Sequence, residues 1–383
     1  MEISTEVMTN IQMVDLQGQY KKIKKEVDAA IFKVIESASF INGPDVKLFQ
    51  QELEKYLEVK HVIPCANGTD ALQIALMALD LKPGDEVIAP AFTYVATAEV
   101  VELLKLKLVY VDVDPKTFNI STSSILKAVS PKTKVIIPVH LYGQCADMET
   151  IMEIARENNL FVIEDTAQAI GATYTFADGK QCKAGTIGDI GCTSFFPSKN
   201  LGCYGDGGAM YTNNDQLAAK LRLISNHGQS KKYCFDSIGV NSRLDTIQAA
   251  VLRIKLKHLD QYNKSRNEVA LFYDKAFAKH SNFIVPSRNS KSTHVFHQYT
   301  LITKGLDRNG LMQHLQKRNI PSMIYYPIPM HLQKGYAHLG YKEGDFSVAE
   351  DLCSRVVSLP IHTEMDQTQL EYITQEVLNY CKN

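Results

Sequence analysis

The chain has 383 residues, 45% of them hydrophobic and 22% charged, with a formal net charge of -1. Its length buries a large core and suits two domains, and its charge offers no general attraction to nucleic acid or acidic lipid. No basic-then-apolar leader opens it and no apolar run nears membrane-spanning length, so the expectation is a cytoplasmic protein with no membrane and no nucleic acid partner.

The first ten or so residues are polar and unpatterned, which predicts fraying. From Val14 to Leu57 the spacing is helical, broken at Asn42-Gly43-Pro44. Short apolar runs then alternate with helical segments. Glu86-Val87-Ile88-Ala89, Leu108-Val109-Tyr110-Val111, Val135 to Val139 and Leu160-Phe161-Val162-Ile163 read as buried strands. Asp70 to Leu79 and Met148 to Asn158 read as helices between them. This alternation predicts an α/β fold with a mostly parallel sheet covered on both faces.

After Ile190 two strands, Cys192 to Phe196 and Ala209 to Thr212, flank a loop containing Lys199. Apolar stripes at helical spacing predict one long helix from about Leu244 to Ala276. The remainder mixes expected strands (Gln298 to Ile302, Ser322 to Tyr326) with a helix at Leu311 to Lys317. The chain thus divides into a large domain with an N-terminal arm, 1–245, and a smaller α+β C-terminal domain, 246–383. The eight cysteines are scattered without a Cys-x-x-Cys pair, which reads as reduced thiols and no metal site.

Three features carry chemistry together. Lys199, in Ser194-Phe195-Phe196-Pro197-Ser198-Lys199, sits between an apolar run and a glycine-rich loop. Burial disfavours an ammonium, and a neutral amine forms Schiff bases. Asp165 ends the run Phe161-Val162-Ile163-Glu164-Asp165, at the carboxyl end of an expected strand, where ligands of open α/β sheets gather. Gly68-Thr69-Asp70 opens a helix whose free N–H groups and dipole suit a phosphate.

Each feature has a plainer reading: a turn lysine, a carboxylate of Glu164 or Asp165 capping the helix near Ala167, an ordinary helix start. Together they are the carboxylate, anion cradle and lysine that a pyridoxal phosphate site requires. Gly202, Gly205, Gly207 and Gly208 do not form Gly-x-Gly-x-x-Gly between a strand and a helix, so a dinucleotide site is discounted.

Over nearly its whole length the chain resembles the DegT/DnrJ/StrS family of pyridoxal phosphate-dependent sugar aminotransferases. The markers are Asn67-Gly68-Thr69-Asp70-Ala71-Leu72, Pro83 to Ile88, Pro138-Val139-His140-Leu141-Tyr142-Gly143-Gln144, Glu164-Asp165-Thr166-Ala167-Gln168 and Ser194 to Lys199. The resemblance implies the aspartate-aminotransferase-type fold (fold type I) and a homodimer with shared active sites. It makes Lys199 the Schiff-base lysine and Asp165 the partner of the pyridine nitrogen.

By the same resemblance, Gln168 bonds the phenolic oxygen, Tyr94 stacks on the ring, and Thr69, Asp70 and Ser194 hold the phosphate, which Gly68 lets the backbone approach. Asn241 matches an asparagine that reaches the partner subunit's phosphate. Arg243 is a candidate substrate contact, and His331, Tyr325 and Tyr326 lie in a segment that could close over the sugar, though helix capping or core packing explains those three as well. Relatives that deoxygenate sugars carry histidine in place of Lys199, so aminotransfer is preferred.

The implied reaction moves an amino group from L-glutamate to a nucleotide-linked keto-sugar. The run from Phe196 to Gly208 is most similar to members acting on UDP-2-acetamido-2-deoxy-3-keto-glucuronic acid, in surface polysaccharide or lipopolysaccharide synthesis. dTDP-linked 3-keto- or 4-keto-6-deoxyhexoses are the alternative substrates. A non-catalytic regulatory or binding protein on the same fold is the alternative class.

Overall fold

The computed structural model describes residues 11–382. The fraying expected of the first ten residues lies outside that span. Helices Leu16–Ser37 and Pro44–Leu57 form where the helical spacing predicts them, separated at Asn42-Gly43-Pro44. Pro44 suits a first-turn position, whose N–H has no helical partner. The second helix buries Phe49, Leu53 and Leu57, one stripe at four-residue spacing. Each such side chain contributes roughly 1.5–3 kcal/mol by leaving water.

A seven-stranded sheet follows, in the spatial order His61–Cys65, Gly208–Thr212, Ile190–Ser194, Phe161–Asp165, Thr133–Ile136, Glu86–Pro90, Lys107–Val111. Only Gly208–Thr212 runs against the others. Side chains alternate between two buried faces: Val87, Val135 and Ile163 join one cluster, Ile88, Ile136 and Val162 another. Two covered faces explain why these strands are continuously apolar.

The expected helix from Leu244 to Ala276 is two helices, Thr246–Leu256 and Leu259–Phe277. The break keeps both Leu256 and Leu259 in one cluster with Phe49 and Phe195. Val251 and Ile254 pack on Ile23 and Val27, so Thr246–Leu256 lies in the layer built by the N-terminal helices. The C-terminal region carries a three-stranded antiparallel sheet of Phe283–Ile284, Tyr299–Thr303 and Val356–Leu359 over its own core. Helix Gln367–Tyr380 joins that core through Ile373 and Val377, its start fixed by an Asp366/Gln369 capping box.

The strand expected at Ser322 to Tyr326 does not form. Met323 makes one bridge to Ser358, and the chain then leaves the sheet. Pro327 and Pro329 have no N–H to extend a ladder, and Tyr325 and Tyr326 turn to a cavity instead.

Candidate active site

The carboxyl ends of the parallel strands open on one cavity of about 490 Å³, a volume ordinary for a small-molecule site. Gly68, Thr69, Tyr94, Asp165, Gln168, Ser194, Lys199 and Tyr325 all line it. A larger groove of about 890 Å³ near Met312 and Ile320 carries no titratable side chain on its walls, so chemistry favours the smaller cavity.

One end is an anion cradle. Cys65 and Ser194 both pair with Gly208, which brings the start of helix Gly68–Met77 beside Ser194. Asn67 Oδ1 accepts the Asp70 N–H at 2.8 Å and its carbonyl takes the Ala71 N–H. The Gly68 and Thr69 N–H groups are left without intrahelical partners. Gly68 must be glycine for this approach: a Cβ there would lie 2.7 Å from Ser194 Cβ. Ser194 Oγ accepts the Phe196 N–H at 3.2 Å, which leaves its own hydroxyl hydrogen to donate. Asp70 is not on the cavity wall.

Glu164 and Asp165, adjacent on one strand, face opposite ways. Glu164 is fully buried and accepts from His140 Nε2 (2.8 Å) and the N–H groups of Gly185, Ile187 and Gly188. His140 Nδ1 accepts the Ala146 N–H, so Nε2 carries the proton. Asp165 faces the cavity, 7% exposed. Its Oδ1 accepts the Ala167 N–H at 3.0 Å and its Oδ2 the Thr97 hydroxyl at 3.1 Å. Burial raises its proton affinity above the ordinary carboxylate range, while the Ala167 N–H, Lys199 and Thr97 oppose the rise. No helix begins at Ala167, so capping does not explain either carboxylate.

Lys199 follows the strand Ile190–Ser194 in a loop held on both sides. Its N–H donates to Phe196 O, and Asn200 Nδ2 donates to Asn263 Oδ1 (2.7 Å) and Val295 O (2.9 Å). Farther along, the buried Lys255 Nζ donates to Gly202 O at 2.6 Å. Burial lowers the Lys199 amine to about 8, against an opposing pull from Asp165. A neutral amine is therefore accessible near physiological pH.

The remaining wall comes from distant sequence. Gln168 Oε1 accepts the Tyr142 N–H at 2.7 Å and its Nε2 donates to Tyr326 Oη at 3.2 Å. Tyr142 Oη donates to Tyr325 O, and Tyr142 O accepts the His297 N–H. The ring of Tyr94, 58% exposed, lies 6.2 Å from that of Tyr326. Tyr326, in the segment with Tyr325 that the sequence reading expects to close over the sugar, is on the wall. Thr93, Thr97, His297 and Gln298 are site residues that sequence reasoning missed. Thr93 sits in the Phe92-Thr93-Tyr94 element and gave a local signal; the other three had none beyond polarity.

Besides Asp70, the expected residues His331, Arg243 and Asn241 lie elsewhere. His331 is buried, bonds Glu350 at 3.0 Å and packs on Phe346, so as placed it makes no cavity wall. Arg243 donates to Asn226 Oδ1 at 2.9 Å and to Asn241 Oδ1, and both Arg243 and Asn241 lie off the wall. Thr166 turns its hydroxyl to Cys192 O and Tyr211 Oη, inside the packing.

Free helix N–H groups, a hydroxyl, a buried carboxylate at the far end and a lysine of lowered proton affinity fit pyridoxal phosphate: an anion at one end, a basic ring nitrogen at the other, an aldehyde between. With a mostly parallel sheet beneath, they define a fold type I pyridoxal phosphate enzyme. The chain belongs to the DegT/DnrJ/EryC1/StrS aminotransferase family, whose model matches residues 21–378.

It is 44% identical over 98% of its length to a pleiotropic regulatory protein of Geobacillus stearothermophilus, covering 99% of that chain. It is 42% identical over 96% of its length to the UDP-2-acetamido-2-deoxy-3-oxo-D-glucuronate aminotransferase of Pseudomonas aeruginosa, covering 100% of it. The solved structure of DesV from S. venezuelae superposes with a TM-score of 0.93 at 37% identity, over 98% of this chain and 99% of that one. The protein is a pyridoxal phosphate-dependent sugar aminotransferase. No helix among the described residues is long and apolar enough to cross a membrane.

Proposed function

We propose that this cavity transfers the amino group of L-glutamate to C3 of UDP-2-acetamido-2-deoxy-3-keto-glucuronic acid. The observation that carries the site reading is the convergence of Lys199, Asp165 and the Gly68–Ser194 cradle on one wall. The substrate choice rests on the 42% identity to the P. aeruginosa enzyme across its whole length. The bound cofactor supplies an electron sink that makes the amino donor's α-proton acidic.

The chain's residues do the rest. The Gly68 and Thr69 N–H groups and the Ser194 hydroxyl bind the phosphate. The basicity that burial gives Asp165 makes it hold a ring N–H firmly, and Thr97 and Ala167 orient its two oxygens. Gln168, fixed by the Tyr142 N–H, would bond the cofactor's phenolic oxygen, and Tyr94 would supply an aromatic face for its ring. Lys199 Nζ takes the α-proton of glutamate in one half-reaction and gives a proton to the sugar carbon in the other.

The working unit is a homodimer. The stretch ending at Asn241 exposes Tyr233, Phe235 and Ile238 by 79%, 60% and 87%, an apolar surface that suits a second copy. Asn241, itself at the surface, then reaches the partner's phosphate, and Arg243 sits beside it. The setting is surface polysaccharide synthesis in the cytoplasm. Incubating the protein with L-glutamate and either the UDP-linked 3-keto-uronic acid or dTDP-linked keto-6-deoxyhexoses tests the substrate. Amination of the uronic acid at the higher kcat/KM supports it; amination of the dTDP sugars alone overturns it.

A further inference from the structure

Lys255 is a buried lysine that plays no part in the chemistry described above. It stands on helix Thr246–Leu256 and is 1% exposed. A buried ammonium normally sits against a carboxylate. Lys255 instead donates to one backbone oxygen, Gly202 O, at 2.6 Å, with its Nζ 5.4 Å from the centre of the Tyr204 ring. Burial lowers the amine to about 8, so the fold keeps a poorly solvated cation for the sake of that one bond.

Gly202 belongs to the turn that carries Lys199. Phe196 O accepts the Lys199 N–H and Phe195 O the Cys203 N–H, both at 2.8 Å, which closes the chain on itself. Within that closure Gly202 lies against the residues that precede the lysine. A Cβ on it would stand 2.2 Å from Pro197 O and 2.8 Å from Phe196 O. No other hydrogen bond among the described residues reaches the Gly202 carbonyl. The helix that supplies Lys255 is itself well anchored. Leu252 and Leu256 pack with Phe49 and Phe195, and Val251 and Ile254 with Ile23 and Val27.

We propose that Lys255 is a positioning residue for Lys199, fixing through Gly202 O the turn from Phe195 to Cys203 that carries the Lys199 amine. The proposal rests on the reading of Lys199 as the lysine that binds the cofactor and moves the proton. Proton transfer needs its partners within hydrogen-bond reach, and a small displacement of the reacting group slows it steeply. Asn200 ties the middle of the turn to Asn263 and Val295, and Lys255 ties its end. A charged donor makes the stronger of such bonds, which is why an ammonium suits this place.

The test compares wild type with Lys255→Met, which keeps the apolar stem and removes the donor. Hydrogen–deuterium exchange is read by mass spectrometry on cofactor-free and cofactor-loaded protein. Exchange in peptides covering residues 195–207 is expected to quicken about tenfold, the loss of about one buried hydrogen bond. Peptides from strands Ile190–Ser194 and Gly208–Thr212 and from helix Thr246–Leu256 should keep wild-type rates. In the loaded protein, the rate at which saturating L-glutamate removes the visible band is expected to fall about tenfold. Cofactor affinity and the half-saturating glutamate concentration should stay within about twofold.

Lys255→Leu takes the place of the methionine variant if that one does not fold. Wild-type exchange in residues 195–207, or an unchanged rate of band loss, overturns the proposal. So does exchange quickened throughout the molecule, or cofactor affinity that falls as far as the rate, because a lysine that only supports the fold gives those results. Failure of the underlying reading shows separately, as a wild-type band indifferent to L-glutamate; the exchange result then decides the hold on the turn by itself.

Discussion

The two walls of the cavity are built in different ways. The wall of Gly68, Asp165, Ser194 and Lys199 comes from strand ends of one sheet, each residue a short step from a hydrogen-bonded register. The facing wall of His297, Gln298, Tyr325 and Tyr326 comes from C-terminal segments that reach the cavity by leaving or flanking their own small sheet. The first wall carries the lysine, the buried carboxylate and the anion cradle whose chemistry fits the cofactor. The second presents tyrosine, histidine and amide side chains, of which the buried His297 Nδ1 has no hydrogen-bond partner. Substitutions on the first wall should therefore impair chemistry or cofactor binding, and those on the second should shift substrate affinity.

Lys199→Ala has the largest expected effect. Removing the group that moves the proton costs about 10²–10⁴-fold or more in kcat, read in steady-state turnover with wild-type fold by circular dichroism. The same residue sets a pH dependence. Its amine is shifted down to about 8, so the neutral fraction falls about tenfold per pH unit below that value. Covalent capture of added pyridoxal phosphate by cofactor-free protein should rise with pH through about 8 and be absent in Lys199→Ala.

Asp165→Asn comes next, at roughly 10²-fold or more in kcat, because a neutral amide no longer holds a proton on the ring nitrogen. Cofactor binding should survive, as measured by fluorescence titration. Gly68→Ala should weaken cofactor affinity about tenfold, since the added methyl meets Ser194 Cβ and opens the cradle. Tyr325→Phe is the smallest: a shift of a few-fold in KM for the keto-sugar with the L-glutamate half-reaction unchanged, the loss of about one hydrogen bond. A kcat loss in Tyr325→Phe as large as that of Asp165→Asn would break the division between the walls.

The same division explains what could be read without coordinates. Lys199, Asp165, Ser194 and Gly68 occupy local patterns, an apolar strand followed by a turn, whose physical meaning needs no distant partner. Glu164 and Asp165 were both plausible helix caps; strand alternation sends one to His140 and the other to the cavity. Thr97 could not be found this way, because its hydroxyl, on helix Ala96–Leu103, meets Asp165 only after the sheet has placed that helix beside the end of strand Phe161–Asp165.

On the second wall, polarity alone misleads. Tyr325 reaches the cavity, whereas His331, six residues on in the same aromatic segment, is drawn into the interior by Glu350 and Phe346. Asn241 and Arg243 read well as a motif, yet in the single chain Asn241 is exposed and Arg243 bonds Asn226 and Asn241, both away from the cavity. Ser322 to Tyr326 has strand composition, and the prolines after it, with the pull of the cavity on two tyrosines, defeat the ladder.

The most direct measurement is the visible absorbance of the cofactor-loaded protein before and after L-glutamate, in wild type and in Lys199→Ala. Loss of the cofactor's visible band on adding glutamate to wild type, with no comparable change in the variant, is the expected result. A wild-type band indifferent to glutamate, or a variant that responds as the wild type does, would contradict aminotransfer at Lys199.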